Sequence, residues 1–489
     1  MSIHVNDAVG VLADFVATTT VPVEARARAG MAFRDTLGVM LAGACERAAR
    51  IAQEIAADEG RGTCTVIGTG VRTSAGHAAL ANGVAAHALD YDDMCFVSLA
   101  HPSCALVPAL LAAGELAEAS PLALEDAYVI GFELECRLGE VMNPRHYDQR
   151  GWHCTSSIGT LGAAAAASRV FGLDADATRH ALGIAASHAC GVKENIGTMV
   201  KPLHAGLAAR NGVLAAQLAR RGFTASAQAL DGPQGYLHAM DSERPSLDPA
   251  IASLGTRWEI IETGITVKLY PSCAATHPPL DALLAIVRSE RVVPDEVAAI
   301  DVEVDSMTTR LLIHPDPHTD LEGKFSMPFC AAAALVFGRV GIDTFEQPAL
   351  TDATVRRLLP RVTLRGNPQF DSSAPLSQAR VDVRMRDGRV FTRSANGARG
   401  YPGRLTTDEL AAKFIDCASR TFPAAASRVW TIVDAMERLS DVRPLTRALC
   451  TIGETRLGEA RQSAFTTSEG GPEPPERFEH PELPERSER

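Results

Sequence analysis

The sequence predicts a mainly α-helical fold into which a smaller α+β domain is inserted. Three observations carry this reading. Residues 5–256 repeat one texture, Ala- and Leu-rich segments of helical period with few β-branched runs. Beyond residue 268 period-two alternation appears, and helical texture returns from 407. At 489 residues a single hydrophobic core is inefficient, so two domains are expected, neither needing a metal or disulfide staple.

The elements follow in order. Segments such as 161–170 and 208–219 read as core helices of the first domain. A helix over 278–290, stopped before Pro294, opens the insertion. Runs at 299–304 and 361–365 alternate apolar and polar residues and read as strands, and 326–337 reads as a buried helix between them. The run 381–393 places Asp387-Gly388 between two alternating stretches, a strong hairpin signal. Helical pattern over 407–461 then packs back on the first domain. The expected division is 1–263 with 403–467 as the all-helical domain and 264–402 as the α+β domain. The last 22 residues, 468–489, hold five Pro, seven Glu and three Arg, and predict a disordered tail.

Composition excludes several classes. A net charge of −12 argues against nucleic acid or an anionic membrane as the partner. Eleven cysteines are scattered without a CxxC pair, so reduced thiols and a cytoplasmic location are expected. The first 20 residues lack the basic and small-residue features of a signal peptide, and the apolar stretch 105–113 is broken by Pro108, so no membrane span is expected. There is no GxxxxGK[ST], GxGxxG, GxSxG or HExxH, and no close cysteine group. No nucleotide, metal or iron–sulfur cofactor is therefore expected.

Arg outnumbers Lys 42 to 5, the five being Lys193, Lys201, Lys268, Lys324 and Lys413. Lysine is retained where a compact amine is needed and a planar guanidinium is not equivalent. Four places set a basic residue at a helix start: His101-Pro102-Ser103, His153-Cys154-Thr155-Ser156, Lys201-Pro202-Leu203-His204 and His277-Pro278-Pro279. Free backbone N–H groups and a positive helix end beside each favour a carboxylate or phosphate. Lys268, in Lys268-Leu269-Tyr270-Pro271-Ser272-Cys273 at the domain junction, is a further candidate. Lys193 and Lys324 read equally as structural ion-pair residues, and Lys413 as a surface residue. In Asp90-Tyr91-Asp92-Asp93 an EF-hand is disfavoured because Cys95 stands where its glycine belongs. Asp90 is the preferred functional member; Asp92 and Asp93 read equally as a surface turn.

These residues, with His87-Ala88-Leu89 before the acidic cluster, Gly151-Trp152-His153, and the run Gly197 to Gly206 around Lys201, together resemble the MmgE/PrpD family. The resemblance runs over most of the chain to about Arg461. It implies an all-helical domain completed by the C-terminal segment, an inserted α+β lid domain, a homodimer and no cofactor. The family includes 2-methylcitrate dehydratase, cis-aconitate decarboxylase and iminodisuccinate epimerase. Its active-site positions fall here on Asp90, His101, His153, Lys201 and Lys268. Met94 and Phe329 depart from the decarboxylase pattern, whereas Arg257 to Ile261, Pro271-Ser272-Cys273 and Lys193 resemble the epimerase branch.

The resemblance implies proton transfer at a carbon next to a carboxylate, with developing charge held by cations and N–H dipoles. The expectation is a cofactor-independent lyase on a small di- or tricarboxylate, dehydratase-like first, epimerase next, decarboxylase third. Lys201 and Lys268 clamp carboxylates, His101 or His153 moves the proton, Asp90 fixes a histidine, and His204, Ser272 and His277 bind substrate. A catalytically inert polycarboxylate-binding protein is the alternative from another class.

Overall fold

The computed structural model describes residues 7–373 and 377–450. The predicted tail at 468–489 and the end of the helical run after 450 lie outside them. Among the described residues, the nine longer helices of the first half pack around one apolar cluster: α1 (Ala8–Thr18), α2 (Val23–Gly43), α3 (Arg47–Asp58), α4 (Ala75–His87), α5 (Ser103–Ala117), α6 (Pro121–Met142), α7 (Cys154–Val170), α8 (Ala175–His188) and α9 (Val200–Arg220). Four of them start on a side-chain cap: Asp7, Ser74, Ser120 and Asp174 each accept a backbone N–H of the first turn. The half is not wholly helical as expected. β1 (Cys64–Thr65) and β2 (Arg72–Thr73) form a two-stranded antiparallel ladder between α3 and α4, too short to leave a period-two signal.

Small residues set how closely the central helices approach. A Cβ on Gly83 of α4 would sit 2.7 Å from Gly206 Cα of α9, and one on Gly206 would sit 2.5 Å from Leu80 O. Backbone meets backbone there, so a methyl group at either position costs about 1–3 kcal/mol by overpacking. This contact lies five residues after Lys201 and seven before Asp90, and so it brings the start of α9 to the turn that follows α4.

The second apolar cluster draws on residues from Tyr270 to Met385. A four-stranded sheet has the order β4-β3-β5-β6, with β3 (Val297–Val304) parallel to β4 (Val362–Gly366) and antiparallel to β5 (Gln378–Met385), which pairs antiparallel with β6 (Val390–Asn396). Ile300, Val302, Val381 and Val383 face the helices His277–Ser289 and Met327–Phe337, while Asp301 and Arg384 pair on the open face. The turn at Asp387-Gly388 is as predicted: Gly388 has φ +90°, and Arg389 N–H donates to Asp387 Oδ1 at 3.0 Å. Ser326 caps the buried helix by accepting Phe329 N–H at 3.2 Å.

After the insertion, Thr407–Ser419, Ala426–Asp434 and Arg443–Ala448 return to the first cluster, with Phe414 against Gly38 of α2. No single helix among the described residues is long and apolar enough to cross a membrane. None of the eleven cysteines is in a disulfide.

Candidate active site

The turn after α4 is the centre of the site. Asp90 has φ +53°, a left-handed conformation that Asp tolerates better than most residues. Its Oδ1 accepts Lys201 Nζ at 2.7 Å and Lys268 Nζ at 2.9 Å, with all three side chains buried. Lys201 arrives as the second residue of α9, inside the helix rather than before it. Lys268 arrives from the entry to the inserted domain, where Met94 and Thr266 exchange both backbone hydrogen bonds at 2.9 Å. Burial pushes the Asp90 carboxyl up, yet the two ammonium groups outweigh it and hold the carboxyl well below its usual range. Burial likewise works against the Lys268 charge, and Asp90 with Asp92 reverses it.

Asp92 and Asp93 are fully buried and do not form the surface turn that was the alternative reading. It is Asp92, not Asp90, that fixes histidine: its Oδ2 lies 2.7 Å from His87 Nδ1 and 3.5 Å from His101 Nδ1. Asp90 turns its Oδ1 to the two ammonium groups instead. Asp93 binds both the N–H and the hydroxyl of Ser103, the first residue of α5, and burial pushes its carboxyl up to about 8. Ser103 Oγ continues to Tyr128 Oη at 2.6 Å.

Four imidazoles run in series. His87 and His101 have ring centroids 4.7 Å apart, His87 and His153 5.9 Å, and His153 and His204 5.2 Å. His101 Nδ1 lies 2.8 Å from the Asp93 carbonyl, which can only accept, so Nδ1 carries the proton and Nε2 the lone pair in the neutral ring. His153 Nδ1 and His204 Nδ1 are 3.0 Å apart and share one proton between them. Burial lowers the pKa of His87, His101 and His153, and takes His204 to about 4. The array is neutral at pH 7. The His101 side chain is 17% exposed, whereas His87, His153 and His204 are at most 3% exposed, so His101 is the one open to a small solute.

The structure therefore brings together Asp90, His101, His153, Lys201, Lys268 and His204. It gives Ser272 and His277 internal partners instead. Ser272 Oγ pairs with Thr276 Oγ1 at 2.7 Å, and His277 Nε2 donates to the Ser272 carbonyl at 3.3 Å, so these groups are spent within the turn opening His277–Ser289. His204, expected to bind substrate, spends its Nδ1 on His153. Lys193 lies 3.5 Å over the Tyr147 ring and donates to Tyr147 O at 3.1 Å.

Lys413 is not a surface residue. It is 5% exposed, pairs with Asp35 of α2 at 2.6 Å and donates to Tyr91 O at 2.9 Å. Lys324, 3% exposed, donates to Leu89 O at 2.6 Å. His87, Asp92 and Lys324 are the site residues that motifs alone do not single out; the scarcity of lysine is the signal for the last. His87, Asp90, Asp92 and His101 each offer a ligand atom within 4.8 Å of the others. Two ammonium groups on Asp90 set this cluster against a divalent cation, which would have to displace or repel them.

Known protein families and proteins match this chain in sequence. The MmgE/PrpD N-terminal domain matches residues 10–247 and the MmgE/PrpD C-terminal domain matches residues 270–438. The chain is 31% identical to a cis-aconitate decarboxylase of Mus musculus over 388 residues, covering 76% of this chain and 78% of the relative. It is also 31% identical to the cis-aconitate decarboxylase of Homo sapiens, over 78% of this chain and 80% of the relative. A cis-aconitate decarboxylase-like protein, oryM, of Aspergillus oryzae is 31% identical over 79% of this chain and 85% of its own length. The two matches together span most of the chain, and it belongs to the MmgE/PrpD family.

Proposed function

We propose that this protein is a cofactor-independent lyase that moves a proton at a carbon next to a carboxylate of a small tricarboxylate. The observation that carries this reading is the double ammonium at Asp90, with Lys201 and Lys268 each bound to Oδ1 and each retaining further N–H donors. A substrate carboxylate seated on those donors meets a charge-assisted clamp, and His101, the accessible imidazole, stands beside it with a basic Nε2.

The state of the histidines supports elimination of water as the first reading. Abstraction of a proton needs a neutral imidazole, and burial keeps the array neutral. On this reading His101 takes the proton from carbon as the base and returns it to the departing hydroxyl, which leaves as water and restores the neutral imidazole, as in a 2-methylcitrate dehydratase. Decarboxylation is a second reading, supported by the names of the relatives at 31% identity. It needs a proton delivered to carbon as carbon dioxide leaves.

The test is turnover in heavy water followed by proton NMR, with 2-methylcitrate, citrate and cis-aconitate. Deuterium at the carbon next to a carboxylate, with alkene formation, identifies the dehydratase; carbon dioxide release with deuterium retained in the product identifies the decarboxylase. Binding of all three acids with no deuterium in any of them would leave a polycarboxylate-binding protein and refute the lyase.

A further inference from the structure

Four of the five lysines in this chain converge on one turn. Lys201 and Lys268 reach the Asp90 carboxylate. Three successive backbone carbonyls of the turn are also held by ammonium groups: Leu89 O by Lys324 at 2.6 Å, Asp90 O by Lys268 at 2.9 Å, and Tyr91 O by Lys413 at 2.9 Å. The donors come from distant parts of the chain. Lys324 ends the helix Asp320–Lys324 of the inserted domain, Lys268 lies at the junction, and Lys413 belongs to Thr407–Ser419 in the returning segment.

The arrangement explains why lysine survives here in a chain that elsewhere uses arginine. Consecutive Cα atoms are 3.8 Å apart, and three planar guanidinium forks cannot each meet one carbonyl at that spacing, whereas three point-like ammonium groups can. Nor does Lys324 look like a residue kept for stability. It is 3% exposed, and among the described residues no carboxylate lies within 4.0 Å of its Nζ. A buried ammonium with a carbonyl as its nearest partner is expensive to desolvate, and replacing such a group with an apolar side chain of similar volume is commonly neutral or stabilising.

We propose that Lys324 and Lys413 are positioning residues that act through the backbone of residues 89–91, holding Asp90 left-handed with its carboxylate between Lys201 and Lys268. This rests on the lyase reading for its kinetic consequence, but not for its structural one. Because Lys324 is carried by the inserted domain, the turn is complete only when that domain is docked on the helical one.

The experiment uses the full chain in three forms. Lys324→Met is expected to keep a wild-type melting temperature or exceed it, while kcat falls on the order of a hundredfold and KM moves only a few-fold, because a reacting group displaced by about an ångström loses that much. Lys324→Ala is expected to regain activity with added ethylammonium or propylammonium. A cavity of about 220 Å³ lined by Lys324, Leu89, Asp320 and Phe345 gives such an amine room to enter. Lys413→Met is made together with Asp35→Asn so that no buried charge is left alone, and is expected to lower kcat likewise. Amide hydrogen exchange of a peptide spanning 89–93, followed by mass spectrometry, should be faster in all three variants. Wild-type kcat together with unchanged exchange in Lys324→Met overturns the proposal. If the wild-type protein turns over no tricarboxylate, the lyase reading fails alone: exchange still decides, faster exchange supporting the caged turn and unchanged exchange refuting it.

Discussion

Asp90→Asn separates charge from shape at the centre of the site. Asn is among the few residues that accept φ +53°, so the backbone of the turn is preserved while the carboxylate charge is lost. Lys201 and Lys268, at 2.7 and 2.9 Å and 7% and 1% exposed, are then left as two buried cations without an anion between them. At an effective dielectric of about 20, each such pair at contact distance is worth roughly 4 kcal/mol before desolvation, and breaking a buried pair from one side typically costs about 3–5 kcal/mol. The expected loss of unfolding free energy at pH 7 is in that range. Urea unfolding followed by tryptophan fluorescence measures it. Adding Lys268→Met to Asp90→Asn should recover part of the loss, since one of the uncompensated cations is gone. The folded-state pKa of Asp90 is depressed, so its contribution is present above the unfolded carboxyl pKa, about 3.9, and fades as pH falls below it. The two unfolding curves should therefore approach each other toward pH 3. A deficit below about 0.5 kcal/mol at pH 7, the size of an ordinary surface substitution, would refute the double clamp.

Lys201→Arg should be nearly as damaging as Lys201→Ala, with kcat/KM lower on the order of a hundredfold, because the fork does not reproduce a compact ammonium on Asp90. Exposed Arg389→Lys serves as the control, and near-normal turnover by Lys201→Arg removes that lysine from the mechanism. Asp93→Asn mimics the protonated carboxyl, which can donate to Ser103 Oγ. With its folded pKa raised to about 8, Asp93 lends stability that is full near pH 4 and lost as pH rises toward 8, so the variant should gain in melting temperature relative to wild type between pH 5 and pH 8. Parallel profiles would show that Asp93 is already ionised. Exhaustive chelation should leave turnover unchanged, since ammonium groups occupy the place a cation would take; inactivation reversed by one divalent metal would move the assignment to the His87, Asp90, Asp92 and His101 cluster.

Residues whose chemistry depends on their immediate neighbours are legible in the sequence. The hairpin at Asp387-Gly388, the capped buried helix after Ser326 and the helix starts at His101, His153 and His277 follow from turn and capping rules that act within a few residues. Asp90 and Lys201 are legible because a retained lysine and an acidic cluster are rare composition events. What escapes a reading of the sequence depends on contacts between distant segments. Nothing near Lys413 announces that Asp35 will meet it across 378 positions, and nothing in Asp90-Tyr91-Asp92-Asp93 says which carboxylate faces lysine and which faces histidine. That choice is made by the left-handed twist at Asp90, which separates the direction of its side chain from that of Asp92. The scarcity of lysine that marks Lys201 and Lys268 applies equally to Lys324 and Lys413, but only the folded turn shows that their ammonium groups meet its carbonyls.

The charge balance of the site suggests how one arrangement serves both proposed reactions. Around the turn, Lys201, Lys268 and Lys324 bring three positive charges against Asp90 and Asp92, with Asp93 largely protonated at pH 7 and the histidines neutral. A tricarboxylate brings three negative charges into this space. Burial is the first cause of the low proton affinity of His101 and His153 and the nearby ammonium groups the second; the substrate's negative charge opposes the second and raises their affinity for protons. His101, whose Nδ1–H is committed to the Asp93 carbonyl, can gain a proton only at Nε2, and the His153–His204 pair can gain one without breaking its shared hydrogen bond. Substrate binding thus makes the neutral His101 a stronger base. A base that has taken a proton from carbon releases water by returning that proton to oxygen, and the same imidazole, entering the cycle protonated instead, delivers its proton to carbon as carbon dioxide leaves. Which of the two occurs is then set by the position of the carbon relative to Nε2, not by a different set of residues.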